Sequence, residues 1–304
     1  MSSLKTECPF HKNRLEIGGH CNDCDYYIQN ISENSFKFSK TEEGRDIYKS
    51  YENAYEQLSE DDLKNAVYAE EYQFDLAFET HNALGSVRGL DVAELGVGRG
   101  FLQKSFLSET PKSLHALDIA EEYVRNALKI FNDSNNGTTK FSISVGNVEF
   151  MPFVESFDLV VATDILEHVL NLGNALVRIS RSLKNGGMFV CRVPYKEKLG
   201  QYSVYNNQRY EFAHLRFFDE RLLQLQLEEV GLKTISVRRN GFQPGRFNQA
   251  VPIFLRKNMA RAFSLFRVYG VNWYEFNRKS KSFPMKLFRL LHQPMELLII
   301  SKKA

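Results

Sequence analysis

Short β-rich runs alternating with helical stretches constrain this chain more than any other feature of its sequence. The runs are VAELG at 92–96, LHALDI at 114–119, FSISVG at 141–146, FDLVVAT at 157–163 and MFVCRV at 188–193. Each suits one strand, and the spacers suit one helix, which is the pattern of βαβ units on a parallel sheet. A helix FDERLLQLQLEEVG follows, with Asp219 placed to cap its start and Gly231 its end. Strand-like TISVRR at 234–239 and ELLIIS at 296–301 complete the series. Upstream, residues 44–86 read as helical, with Tyr, Leu and Phe recurring among Glu and Asp and with Ser59 and Asp62 in a capping arrangement. The expected fold is α/β.

The turn after the first strand reads Glu94-Leu95-Gly96-Val97-Gly98-Arg99-Gly100. Glycines at a strand-to-helix turn let the backbone bend sharply and let a ligand approach the main-chain N–H groups with no Cβ in the way. The dinucleotide fingerprint G-x-G-x-x-G is not met, because the third glycine comes one residue early and Phe101 stands where Gly or Ala belongs. That departure argues against NAD and FAD.

The spacing resembles motif I, E-x-G-x-G-x-G, of the class I S-adenosylmethionine (SAM)-dependent methyltransferases, and the resemblance runs on through about residues 88–240 and the final strand. Asp118 ends the second strand, where that family has an acidic residue, and Gly146-Asn147-Val148 follows the third, where it has a polar residue, often Asp. The segment from Phe157 to His168, with Thr163 at the strand end and Leu166-Glu167-His168 beyond it, resembles the fourth-strand motif. Leu183-Lys184-Asn185-Gly186-Gly187 is similar to the turn before strand five, and His214-Leu215-Arg216-Phe217-Phe218 to a segment of the small-molecule branch. The resemblance implies a Rossmann-like sheet of seven strands, mainly parallel with the last antiparallel. It also implies SAM as cofactor, held by Glu94 at the methionine end, Gly96, Val97, Gly98 and Gly100 in the turn, Asp118 at the ribose, Asn147 and Val148 at the adenine, and by Ile119 and Thr163. Glu167 reads either as a ligand contact or as the partner of Asp164 in a capping box.

Methyl transfer from a sulfonium is an in-line displacement on an activated electrophile, so the protein mainly aligns the reactants and excludes water. A base is needed only where the acceptor must lose a proton. His168 and His214 are the candidates for that base or for acceptor positioning, and a structural role is the alternative for each. Tyr195 and Tyr210 could shape an acceptor pocket. No Asn-Pro-Pro-Tyr motif follows the fourth strand, and Cys191 sits within a strand rather than in a Pro-Cys loop, which argues against exocyclic amines and covalent cytosine chemistry. The expected acceptor is a small, sugar-linked or lipid-linked molecule methylated at oxygen. RNA methylation at a ring nitrogen and a catalytically inactive scaffold are the alternatives.

Cys8-x2-His11 and Cys21-x2-Cys24 supply four ligands as two knuckles, the pattern of a structural Zn²⁺ site, with His20 as a competing ligand. Residues 1–43 therefore read as a zinc-ribbon-like segment, 44–87 as a helical linker or cap, and 88–304 as the SAM-binding domain. Three of the four cysteines fall in this cluster, and neither a signal peptide nor a membrane span is visible, so a cytoplasmic protein is expected.

The net charge of +2 disfavours a strongly basic nucleic-acid binder, but it conceals an uneven distribution. Residues 51–242 carry a net −7, whereas 243–293 carry 10 basic side chains against 1 acidic, with 10 aromatic residues among them. Leu255, Met259, Ala262, Phe263 and Phe266 share one helical face, and Lys257, Arg261 and Ser264 lie elsewhere on the wheel. This insertion before the last strand reads as a basic amphipathic helix. It could pack on the acidic body, touch an anionic membrane surface at the inner face of the membrane, or cover an anionic acceptor; RNA is the weaker reading.

Overall fold

The computed structural model describes residues 4–40, 46–65, 70–134, 137–195, 214–244 and 292–304. In chain order these form β1 (Tyr26–Ser32), β2 (Ser35–Lys40), α1 (Asp46–Asn65), α2 (Glu70–Leu84), β3 (Asp91–Leu95), α3 (Phe101–Leu107), β4 (Ser113–Asp118), α4 (Glu121–Ser134) and β5 (Lys140–Val145). A 3₁₀ turn at Val148–Phe150 precedes β6 (Phe157–Thr163), α5 (Leu172–Ser182), β7 (Leu183–Pro194), α6 (Glu220–Glu229), β8 (Leu232–Pro244) and β9 (His292–Lys303).

One sheet contains all nine strands, in the order β1-β2-β5-β4-β3-β6-β7-β9-β8. From β5 to β7 the pairing is parallel, and β9 runs antiparallel between β7 and β8. These seven strands are the sheet expected from the sequence. Every residue of β3 is buried, because helices cover both faces of a central parallel strand. Successive residues feed opposite cores: Ala93 and Leu95 join the layer with Leu176, Ile179 and Leu223 of α5 and α6, and Val92 joins Phe106, Val124 and Ala127 of α3 and α4.

The two additional strands come from the cysteine-rich segment. β1 and β2 form a hairpin, and β2 pairs in parallel with β5, Ser35 opposite Ile143 and Lys37 opposite Val145. Tyr26, Ile28, Phe36 and Phe38 are buried in the main core, each worth about 1.5–3 kcal/mol of transfer free energy. Phe36 stacks on His115 with ring centroids 5.5 Å apart, and His115 is hydrogen-bonded to Ser142 and Ser144. The preceding strap is held as tightly: Glu7 accepts from Arg178 at 3.1 Å and from Arg181 at 2.7 and 2.8 Å. The segment shares the core of the sheet it borders.

Asp219 caps α6 by accepting from Arg221 N–H, and Gly231 lies at φ +79°, both as the sequence indicates. Three local expectations are corrected. Ser59 and Asp62 do not cap a helix; both lie inside α1, where Ser59 donates to the Glu56 carbonyl and Asp62 accepts from the Tyr123 hydroxyl at 3.0 Å. No helix starts at Asp164, so no capping box joins it to Glu167; Asp164 adopts φ +55° and pairs with Arg192. The Leu183–Gly187 turn lies within β7, as an irregularity in its pairing with β6 between Phe157 and Leu159. Tyr210 and most of the basic insertion lie outside the described residues. Among the described residues no helix is long and apolar enough to cross a membrane.

Candidate active site

β3 pairs with β4 on one side and with β6 on the other, so the strand order reverses direction at β3. The carboxyl ends of strands flanking such a reversal leave a crevice, the usual ligand position in open α/β sheets. The glycine turn occupies this place, and its glycines serve different needs. Gly96, at φ +69°, could not carry a Cβ without overlapping Ile165 Cγ2 in the turn after β6. At Gly100 a Cβ would stand 2.5 Å from Ile130 Cδ1 of α4. A Cβ on Gly98, at φ +49°, would meet nothing within 4 Å. The turn is thus packed at both ends and open in the middle, beside Val97, which is buried.

Asp118 ends β4 and reaches into this turn. Its Oδ2 accepts from Gly98 N–H and its Oδ1 from Ala120 N–H, each at 3.0 Å. Burial raises its carboxyl pKa to about 6, the main-chain N–H groups of Ala120, Gly98 and Ile119 oppose the rise, and the charge of Glu56 adds to it. These main-chain donors fix the carboxylate so that it faces the middle of the glycine turn. Glu94 is only 2% exposed, and its Oε2 has no hydrogen-bond partner. Burial, then the neighbouring Asp118 charge, holds its pKa well above the ordinary carboxylate value. A buried carboxyl oxygen without a donor is costly, and a cationic N–H donor from a ligand would offset that cost.

Asn147 Oδ1 accepts from Glu149 N–H at 2.9 Å and so caps the turn Val148–Phe150, leaving the buried Nδ2 without an acceptor. Ile119 and Thr163, half-buried, end the neighbouring strand edges. These residues form a line along one rim: an unsatisfied carboxyl, an open glycine turn, a carboxylate and an amide donor. That donor set fits the amino-acid, ribose and base portions of SAM.

His168 and His214, far apart in sequence, meet with ring centroids 4.7 Å apart and planes at 82°. Leu215 N–H donates to the Glu167 carbonyl at 2.9 Å, and Arg216 donates to the Leu166 and Leu170 carbonyls, which ties the segment after residue 213 to the turn after β6. Tyr195 follows the carboxyl end of β7, its ring under the Arg239 guanidinium at 5.0 Å and its backbone bridged to Phe218. Burial pushes the Cys191 thiol up to about 12, in keeping with its exclusion as a nucleophile.

Helix α1 supplies contacts that the sequence reading did not assign. Glu56 Oε2 accepts from Glu121 N–H at 2.7 Å at the start of α4, Tyr48 donates to Glu149, and the Tyr55 ring lies 5.7 Å from His168. Tyr51 is buried beside them. The signal was present: Tyr48, Tyr51 and Tyr55 recur at helical spacing, so one face of α1 covers the rim.

In the cysteine cluster, Cys8 Sγ stands 3.6 Å from Cys24 Sγ and 3.8 Å from His11 Nδ1, and Cys21 Sγ is 3.6 Å from His11 Nδ1. A tetrahedral Zn²⁺ with ordinary bond lengths separates its ligands by about 3.8 Å for two sulfurs and about 3.6 Å for sulfur and nitrogen. The three separations match such an ion, the four ligand atoms all lie within 4.8 Å of one another, and all three cysteines are free thiols. His20 is not among the four; its backbone bridges to Tyr27.

The fold is the Rossmann-like α/β fold of methyltransferases. Residues 93–191 match the family described as methyltransferase domain. The chain is 39% identical over 98 residues to arginine-hydroxylase NDUFAF5, mitochondrial, of Homo sapiens, covering 32% of this chain and 26% of that protein. It is 28% identical over 106 residues to malonyl-[acyl-carrier protein] O-methyltransferase of Acetivibrio thermocellus, covering 34% and 36%. The matched stretch thus spans about a quarter of the first of these relatives and about a third of the second. Among solved structures, 1,6-didemethyltoxoflavin-N1-methyltransferase of Burkholderia thailandensis superposes with a TM-score of 0.53 at 16% identity, covering 94% of this chain and 98% of that one.

Proposed function

We propose that this chain is a SAM-dependent methyltransferase that transfers the methyl group to an oxygen of a small, sugar-linked or lipid-linked acceptor in the cytoplasm. The observation that carries the reading is the pair of buried carboxyls at the rim, Glu94 lacking a donor at Oε2 and Asp118 aligned by Gly98 N–H. In this reading Glu94 takes the ammonium of the methionine end and Asp118 the ribose hydroxyls. Gly96, Val97, Gly98 and Gly100 shape the path between them, with Thr163 and Ile119 at its sides and Asn147 and Val148 at the adenine. SAM supplies the activated methyl group, and the protein supplies alignment and exclusion of water. The relative named as an O-methyltransferase supports oxygen as the acceptor atom; the one named as a hydroxylase makes a direct test of methyl transfer necessary.

Cys8, His11, Cys21 and Cys24 hold structural zinc in this reading, since all four positions of the ion are filled by protein. The basic residues of 243–293 favour an anionic acceptor or an anionic membrane surface as partner. Calorimetric titration with SAM, followed by transfer of labelled methyl from SAM into lysate fractions, tests the proposal. Saturable binding and label in the lipid or small-molecule fraction are expected. Absence of binding at millimolar SAM refutes the enzyme reading, and label confined to RNA refutes the acceptor class.

A further inference from the structure

A second group of ligating side chains lies just beyond the cofactor rim. Glu167, His168 and His214 each offer one ligand atom, and the three atoms lie within 4.8 Å of one another. Glu167 is fully buried and both imidazoles are half-buried, so the carboxylate is the innermost of the three ligands. The backbone beneath is fixed by His168 N–H donating to the Ile165 carbonyl and Leu215 N–H donating to the Glu167 carbonyl. Ile165 is also the residue against which Gly96 packs, which puts the group two residues from the floor of the glycine turn. The Arg216 guanidinium donates to the carbonyls of Leu166 and Leu170 and interacts electrostatically with Glu167, so a positive charge already borders the carboxylate.

We propose that Glu167, His168 and His214 form a metal site for a divalent first-row transition ion whose remaining positions take the acceptor oxygen. Two imidazoles and one carboxylate with open positions suit such ions, whereas the sulfur-rich knuckle selects zinc. Ligands of one ion stand about 3–3.5 Å apart. Glu167 Oε1 and His168 Nε2 are 3.8 Å apart and all three ligand atoms lie within 4.8 Å, so the side chains would draw together on binding the ion. The inference rests on the methyltransferase reading and specifies its acceptor as a hydroxyl or enol. The ion lowers the pKa of that group, and its proton leaves to solvent. The oxygen lone pair then forms the O–CH₃ bond as the CH₃–S⁺ bond breaks with its electron pair kept by sulfur. His168 and His214 act here as ligands, which replaces their reading as bases.

The test titrates the full chain, its knuckle loaded with zinc, with Co²⁺ by calorimetry and visible absorption, and titrates the same preparations with SAM. One saturable cobalt per chain is expected, without sulfur-to-cobalt charge transfer, and acetohydroxamate should shift its absorption by entering the open positions. The His168→Ala/His214→Ala variant should lose that cobalt and keep its SAM affinity; if it does not fold, His214→Gln takes its place. Failure of the wild type to bind cobalt while SAM binds, or retention of cobalt by the variant, overturns the site. An absorption indifferent to acetohydroxamate overturns the acceptor role. Cobalt binding without SAM binding supports the site and overturns the methyltransferase reading instead.

Discussion

Asp118 concentrates the chemistry of the rim in one ionisable group. To accept from two ribose hydroxyls it must be ionised, yet burial places its pKa at about 6 in the folded chain, against an ordinary value of 3.8. Protons therefore compete with SAM at this group, and on its account affinity should fall by up to about tenfold per unit below pH 6. Glu56→Gln removes a negative charge that raises this pKa, so the fall should move to lower pH. Calorimetry across pH 5–8 checks both, and a flat profile refutes the ribose role. The glycines make a second prediction at this scale. Gly98→Ala meets open space and carries only the cost of a positive φ, about 1 kcal/mol, but it should abolish tight SAM binding because the new methyl group occupies the ligand's path. Gly96→Ala should instead lower the denaturant midpoint more strongly, since its Cβ collides with Ile165. Equal effects of the two on stability would contradict this division.

The N-terminal hairpin is the element that changes the meaning of the cysteine cluster. Cys8 and Cys21 are buried in the same core as Tyr26 and Ile28 of β1 and Phe36 and Phe38 of β2, and Phe10 of the first knuckle packs on Phe150, next to the Asn147 turn, at 5.7 Å. Cys21→Ser, or chelation, should therefore lower the Tm of the whole chain in a single calorimetric transition rather than melt a separate unit, and metal analysis should return one zinc per wild-type chain. An unchanged Tm would refute the structural role. This element also shows what the sequence could not disclose. The parallel strands announce themselves locally, because a central strand must be apolar throughout and a βα turn must bend. The pairing of Ser35 with Ile143 and the meeting of His168 with His214 join residues far apart in the chain, and no local period encodes them. That Glu94, Gly96 and Asp118 would gather at the ends of neighbouring strands was legible, because each position is fixed by local pattern. The α1 tyrosines were legible as a helix face but not as the face that covers the rim.

At the scale of the molecule, the seam between the hairpin and the sheet sets a pH limit on stability. His115 is wholly buried between Phe36, Phe153 and Phe157, and burial lowers its pKa from 6.5 to about 3. The unfolded chain takes up a proton below pH 6.5 that the folded chain refuses. The contribution of neutral His115 is therefore complete above pH 6.5 and is lost, by up to about 1.4 kcal/mol per unit, as pH falls from 6.5 towards 3. Denaturant unfolding between pH 7 and pH 5 should show this slope, and His115→Phe should be flatter over that range; parallel slopes would refute the assignment.

The register of the last two strands has a consequence for how the chain diversifies. Pro244 and His292 face each other across one rung of the β8–β9 ladder, and β8 runs in the direction of the parallel strands, so residues 245–291 depart from and return to the rim that bears Glu94 and Asp118. A stretch anchored at both ends on one rim is a cassette. Both of its anchors are rungs of the sheet, so exchanging what lies between them leaves the pairing of β8 with β9 unaltered.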